Sequence, residues 1–264
     1  MSQTHSATTR SRRDAAHSGD AIFAGKRETP DIETSSEDYA QRFSGRVGAW
    51  FLQVQEQAML RLLAGWPRAT VLDVGGGHGQ LTDALVREGH AVTVFGSDES
   101  CRRRIQSHLD QGRCRFTAGN LLRLPYPAKA FDVVVSVRLL PHMDDWPGLI
   151  GELTRVARHA VIVDYPTSRS LNRLTPALFN VKRRAEGNTR SYRVFGDQEL
   201  MGAFRARGFV QRQRLPQFLW PMVLHRVIGQ VGVSRGLEAF GRATRLSQLF
   251  GSPVISLFTR MAHR

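Results

Sequence analysis

The stretch that most limits what this chain can fold into is Val71–Thr82, VLDVGGGHGQLT. An apolar, β-branched run stops at an aspartate and then at glycines spaced Asp73-x-Gly75-x-Gly77-x-Gly79. A strand that ends this way and leads into a helical pattern must turn sharply. Glycine supplies the left-handed backbone and the close approach that such a turn needs. The helix that follows offers unpaired N–H groups to whatever lies in the turn. Strand, glycine turn and helix open a βαβ unit, whose natural home is a parallel sheet with helices on both faces.

The rest of the chain agrees with that reading. From Tyr39 the apolar residues Val47, Trp50, Phe51, Val54, Met59, Leu62 and Leu63 recur at helical spacing until Gly65 and Pro67. Strands are predicted at Thr70–Val74, Ala91–Phe95, Arg113–Thr117, Phe131–Val137 and Ala160–Asp164, with helices over Gln80–Glu88, from a Ser100 cap to Leu109, and over Asp145–Ala157. Asp197 is expected to cap a further helix to about Arg207, ended by Gly208, and Phe209–Gln217 and Val254–Arg260 read as two more strands. The expected fold class is therefore α/β: a Rossmann-like, doubly wound, mostly parallel seven-stranded sheet, with helices on both faces and a helical insertion before the last strand. Residues 1–36, poor in large apolar side chains, are expected to be a disordered tail. Residues 37–264 are expected to be one domain, with a cofactor core at 68–165 and two covering segments at 166–194 and 218–251.

The glycine turn is not a dinucleotide fingerprint. Counted from Gly75 the sixth position of GxGxxG is Gln80, and counted from Gly77 it is Thr82. No Gly-Lys-Ser/Thr follows, so a phosphate loop is also excluded. An acid before the glycines suits a zwitterionic amino-acid moiety better than a diphosphate. The segment resembles motif I of class I S-adenosylmethionine-dependent methyltransferases, [D/E]xGxGxG. That resemblance implies S-adenosylmethionine as cofactor, held at Asp73, Gly75 and Gly77. A second stretch, Gly96-Ser97-Asp98-Glu99-Ser100, is similar to the family's G-x-D-x-S, with Asp98, beside Glu99, placed to accept from the ribose hydroxyls. A third, Gly119-Asn120-Leu121 followed by LPYPAKAFDVVVS, looks like the family's adenine-side segment. Asn120 stands where the family usually has Asp, and Leu121 offers its N–H and an apolar wall. A fourth, RLLPHM after the fourth strand, adds Arg138 to the cofactor set and places His142 where the type 11 group, which includes ubiquinone and menaquinone biosynthesis enzymes, often has a histidine. The resemblance covers residues 68–165; the fifth strand lacks the family's common Pro-Gly-Gly turn.

Methyl transfer from a sulfonium is a direct displacement in which the protein mostly aligns the partners. A base helps only when the nucleophile carries a proton that must leave. His142 is the candidate catalytic base, because its ordinary pKa lies near neutrality. Asp164 and Tyr165 leave the fifth strand at the same edge, with a structural role favoured for both, and Arg42 is a candidate for the cofactor carboxylate.

Charge and composition narrow the partners. The net charge is +14, and residues 166–264 hold 17 Lys/Arg against 4 Asp/Glu, a net of +13. Such a surface could meet nucleic acid, anionic lipid or an acidic substrate. The segment FLWPMVLHR, beside further arginines, suits a lid over an apolar substrate or a face on anionic lipid. The two cysteines, Cys101 and Cys114, form no CxxC and no metal-ligand spacing, so neither a disulfide framework nor a metal is expected. No secretory signal and no apolar run of spanning length is read, and the expected location is cytoplasmic, with peripheral contact to an anionic membrane through residues 166–264. The expected function is methyl transfer to a small apolar metabolite that is lipid-, quinone- or polyketide-like. An RNA methyltransferase and a non-catalytic cofactor-binding scaffold are the alternatives. No RNA-binding module or NPPY motif supports the first of these.

Overall fold

The computed structural model describes residues 27–170 and 192–261. Among these residues seven strands form one sheet: β1 (Thr70–Val74), β2 (Ala91–Gly96), β3 (Cys114–Ala118), β4 (Phe131–Ser136), β5 (Ala157–Tyr165), β6 (Phe209–Pro216) and β7 (Val254–Arg260). Their order is β3-β2-β1-β4-β5-β7-β6. Strands β1 to β5 run parallel, and β7 is antiparallel to both β5 and β6. The α/β sheet expected from the sequence is the sheet observed, and β1 and β7 have the bounds the pattern gives.

The central strands are apolar on both faces because both faces are covered. Successive residues alternate between two cores. Leu72, Val134, Val161 and Val163 share one with Leu149, Ile150 and Leu153 of helix α6 (Trp146–Val156). Val71, Val133, Val135 and Ile162 share the other with Met59, Leu62 and Leu63 of α3 (Gly45–Leu63). Before α3 come two short helices, α1 (Asp31–Thr34) and α2 (Glu37–Gln41). The remaining core helices are α4 (Thr82–Arg87), α5 (Gln106–Asp110) and α7 (Asp197–Arg205). Phe204 of α7 stacks on Phe258 of β7, with ring centroids 3.7 Å apart.

Between β6 and β7 lies the expected helical insertion, built from α8 (Met222–Ile228), α9 (Val231–Ala243) and α10 (Leu246–Phe250). It rests on the first half of α3 through a cluster of Val47, Trp50, Phe51 and Phe218. His225 meets the Trp50 ring edge-on at 5.3 Å. Its Nε2 lies 3.0 Å from Glu238 Oε1, both residues fully buried. Glu238 also accepts from the backbone N–H groups of Leu219 and Trp220, so its carboxylate ties α9 to the start of the insertion.

Three local expectations are corrected. The tail expected over 1–36 ends sooner: residues 27–36 carry α1, with Asp31 fully buried and held by hydrogen bonds to the body; residues 1–26 lie outside the described residues. Ser100 does not cap a helix. Asp98 caps a 3₁₀ turn over Glu99–Ile105, its carboxylate accepting from Ser100 N at 2.8 Å, and α5 begins only at Gln106. Asp197 begins α7 without capping it, since its carboxylate serves Tyr165, Thr167, Arg169 and Arg214 instead. Of the covering segment 166–194, residues 171–191 lie outside the described residues, and the rest pairs Thr167 with Phe195.

Candidate cofactor and acceptor site

Strand order reverses between β1 and β4, and in open α/β sheets ligands bind beyond the strand ends at such a point. The glycine turn leaves β1 there. Gly75 has φ 77°, open to glycine at little cost, and its N–H donates to Phe95 O at 2.8 Å, tying the turn to β2. A Cβ on Gly76 would collide with the Asp73 carboxylate, and one on Gly77 would meet Ser35 Oγ at 2.5 Å. The turn therefore has no room for larger residues. Gly76, which spacing alone does not single out, is the residue against which the carboxylate lies.

Asp73 is fully buried, and neither carboxylate oxygen has a hydrogen-bond partner. Burial raises its pKa from 3.8 to about 7. Next to it His78 is buried too, and desolvation, reinforced by the positive charge of Arg138, lowers its pKa to about 3. Both shifts oppose charge, so burial favours a neutral imidazole and a neutral carboxyl group in the turn. A buried carboxylate with no donor is a group whose bonding a bound cation would complete.

A second set of residues lies at the ends of β4 and β5. Asp164 accepts from Arg138 N at 2.7 Å and from Gln55 Nε2 at 3.1 Å, while Arg138 Nη2 donates to Gln55 Oε1 at 2.8 Å. Arg138 adopts φ 61°, a left-handed backbone that the Asp164 bond helps to hold. Its guanidinium carbon lies 4.0 Å from the Phe43 ring centroid and 6.0 Å from that of Tyr39. Burial raises the pKa of Asp164 to about 6, offset in part by Arg138, and burial also raises that of Tyr39. His142 stands in a 3₁₀ turn, Leu140–His142, just beyond β4, half-buried, with its ring 5.6 Å from Tyr192.

Of the candidates read from sequence, Asp73, Gly75, Gly77, Arg138 and His142 gather at the ends of β1 and β4. Asp98 stands beyond β2, exposed, and its hydrogen bonds with Ser100 lower its pKa. Three further candidates have their own local partners. The Leu121 side chain is fully buried in the α6-side core. The Asn120 carbonyl already accepts from Leu122 N at 2.9 Å, which turns the side chain into its own loop. Glu99 is exposed and paired with Arg102 at 3.2 Å. Arg42 pairs with Glu33 at 3.4 Å, and Tyr165 donates into the core toward Asp197, as a structural residue would.

The sequence missed the strap that precedes α2. Glu28 accepts from Asp144 N at 2.7 Å and Asp145 N at 2.9 Å, on the β4 side. Asp31 accepts from Ser97 N at 2.6 Å and from the Cys101 thiol, on the β2 side, and Arg27 donates to Ser97 O. Since β1 lies between those strands, residues 27–36 cross its end and lie over the glycine turn. The available signal was Pro30 followed by Asp31 and Glu33, an acidic first turn.

Comparison with known proteins agrees with this geometry. A family model described as a methyltransferase domain matches residues 71–160. An uncharacterized methyltransferase of Mycobacterium tuberculosis is 30% identical over 96 residues, covering 36% of this chain and 49% of that protein. The malonyl-[acyl-carrier protein] O-methyltransferase of Salmonella typhimurium is 30% identical over 139 residues, covering 52% and 55%. The chain thus spans about half the length of the curated relatives it matches. Among solved structures, magnesium protoporphyrin IX methyltransferase from Synechocystis with bound S-adenosylhomocysteine shares the fold. Its TM-score is 0.59 at 15% identity, covering 86% of this chain and 96% of that one. The strand order sets a glycine turn and an unpaired aspartate at the reversal point, and residues 71–160, which hold both, match a methyltransferase domain on a fold shared with solved methyltransferases.

Proposed function

We propose that this chain transfers a methyl group from S-adenosylmethionine to a small, apolar acceptor. The observation that carries the reading is Asp73, a buried carboxylate with both oxygens unpartnered, set against the Gly75–Gly77 turn at the point where strand order reverses. The residues fit an amino-acid-bearing nucleoside. Asp73 is the counter-charge for an ammonium group, the glycine turn admits close backbone approach, and exposed Asp98 has a carboxylate for ribose hydroxyls. S-adenosylmethionine, when bound, supplies a methyl group already activated by its sulfonium charge. The chain's own part is to bind, orient and exclude water. The Asp164–Gln55–Arg138 network fixes the backbone from which the His142 turn departs. His142 is the group we assign to take a proton from an acceptor that carries one. An apolar acceptor fits the aromatic residues Tyr39, Phe43 and Tyr192 around these polar groups. The names of the relatives point to metabolite-sized acceptors, a malonyl group on a carrier protein and magnesium protoporphyrin IX.

The test is incubation with methyl-labelled S-adenosylmethionine and a fractionated cell extract. Label is expected in an organic-soluble product. Label in RNA alone, or no measurable affinity for S-adenosylmethionine by calorimetry, overturns the reading. His142→Ala is expected to cut turnover about 100-fold while leaving cofactor affinity within about twofold; normal turnover would remove His142 as base.

A further inference from the structure

We propose that the α8–α10 insertion is a docking surface for an anionic lipid bilayer. Among the described residues the insertion exposes large apolar side chains: Val227 is 78% exposed, Val233 49%, Phe240 59% and Leu249 53%. Such a concentration on one short segment is unusual for a surface in contact only with water. Among these residues stand Arg226, Arg235, Arg242 and Arg245, all exposed. From Phe218 to Gly251 the sequence has one acid, Glu238, and the fold buries it completely against His225 and two backbone N–H groups. The outside of the insertion is therefore apolar and cationic, with no carboxylate.

The pattern of α9 sharpens this. Ser234, Glu238 and Gly241 form its buried stripe. Val233 and Phe240, seven residues apart, lie along one edge of the exposed side, and Arg235 and Arg242, also seven apart, lie along the other. Between them Gly232, Gly236, Ala239 and Ala243 are exposed and small, so the helix surface can approach a plane closely. Arg235 and Arg242 also edge an open groove of about 650 Å³ between α3 and α9, whose apolar lining includes Trp50, Val54 and Phe218. Cations beside an apolar slot match a lipid phosphate with its chain. A second copy of this chain matches poorly. A twofold contact through α9 would bring arginine edges together with no acid in the insertion to meet them. Interfacial helices that lie on membranes combine large apolar and basic residues in this way.

The docking is independent of which acceptor is methylated, and its test reads no methyl transfer. The full chain is co-sedimented with phosphatidylcholine vesicles and with the same vesicles containing phosphatidylserine. Binding is expected only to the second kind, and weaker as salt rises. Arg235→Gln with Arg242→Gln is expected to weaken it about 25-fold, roughly fivefold per cation near an anionic surface. Val233→Ser with Phe240→Ser should also weaken it at least tenfold, with unchanged circular dichroism and unchanged S-adenosylmethionine affinity. The proposal fails if the wild type ignores anionic vesicles at low salt, or if both double variants bind like the wild type. It also fails if the apolar pair matters only to a lipid-free dimer, or if a single-stranded RNA probe is captured through the arginines with Phe240 irrelevant.

Discussion

Asp73 has a carboxyl group without a donor in a place where carrying charge is expensive. Its pKa near 7 in the fold, against 3.8 as a reference, means that the folded chain holds the proton more tightly than the unfolded chain. Between about pH 4 and pH 7 the unfolded state therefore releases its proton first, and stability falls as pH rises through that window. Asp73→Asn escapes the loss. It is expected to stabilise the ligand-free protein at pH 8 by about a few kcal/mol, the order given by the pKa gap, seen as a higher melting temperature, and to leave stability nearly unchanged at pH 4. The same variant is expected to lower S-adenosylmethionine affinity tenfold or more by calorimetry. A variant that neither gains stability at pH 8 nor loses affinity would remove Asp73 from the site. Stability given up at one residue in return for a ligand is a pattern functional sites often show.

At the scale of elements, the strap over residues 27–36 is held mostly by carboxylates that accept from backbone N–H groups. Glu28→Ala removes two such bonds. Amide hydrogen exchange at Asp144 and Asp145 is expected to speed up at least tenfold, about the worth of one charge-assisted bond. Unchanged protection would mean that the strap does not close the site. The strap also shows where sequence reading stops. Strands β1 and β4 are legible because runs such as TVLDV and FDVVVS are apolar enough to demand cover on both faces. The glycine turn is legible because its spacing has a steric reason. Residues 27–36 fold for a different reason. Their few apolar groups contribute little, and their order comes from Asp31 and Glu28 meeting backbone donors at 66 and 116 residues' remove, which no local pattern announces. The same holds for Leu121 and Asn120. Which way each side chain turns is set by Phe95, Leu124 and the following loop, not by the motif they stand in. The insertion lies between these cases: its helices were visible as an apolar stretch, but the burial of Glu238 was not.

For the molecule as a whole, the sheet is two halves joined at β5. The parallel half, β1 to β5, holds the site, and the antiparallel pair of β6 and β7 closes its edge. Phe258 on β7, stacked on Phe204, is buried at the centre of that closure. Phe258→Ala is expected to cost about 3–5 kcal/mol, seen as a lower urea midpoint with an unchanged slope. A changed slope would show the antiparallel pair loosening by itself, without the parallel half.

Strand β7 follows β6 in the chain but sits inside it, between β5 and β6. During synthesis on the ribosome, β5 therefore emerges with a bare row of N–H and C=O groups, and β6 cannot cover them. Only when residues 254–260 have left the exit tunnel does the row find its partner. Until then the nascent chain presents a sticky, half-built edge, and it is over this interval that a chaperone would have the most to shield.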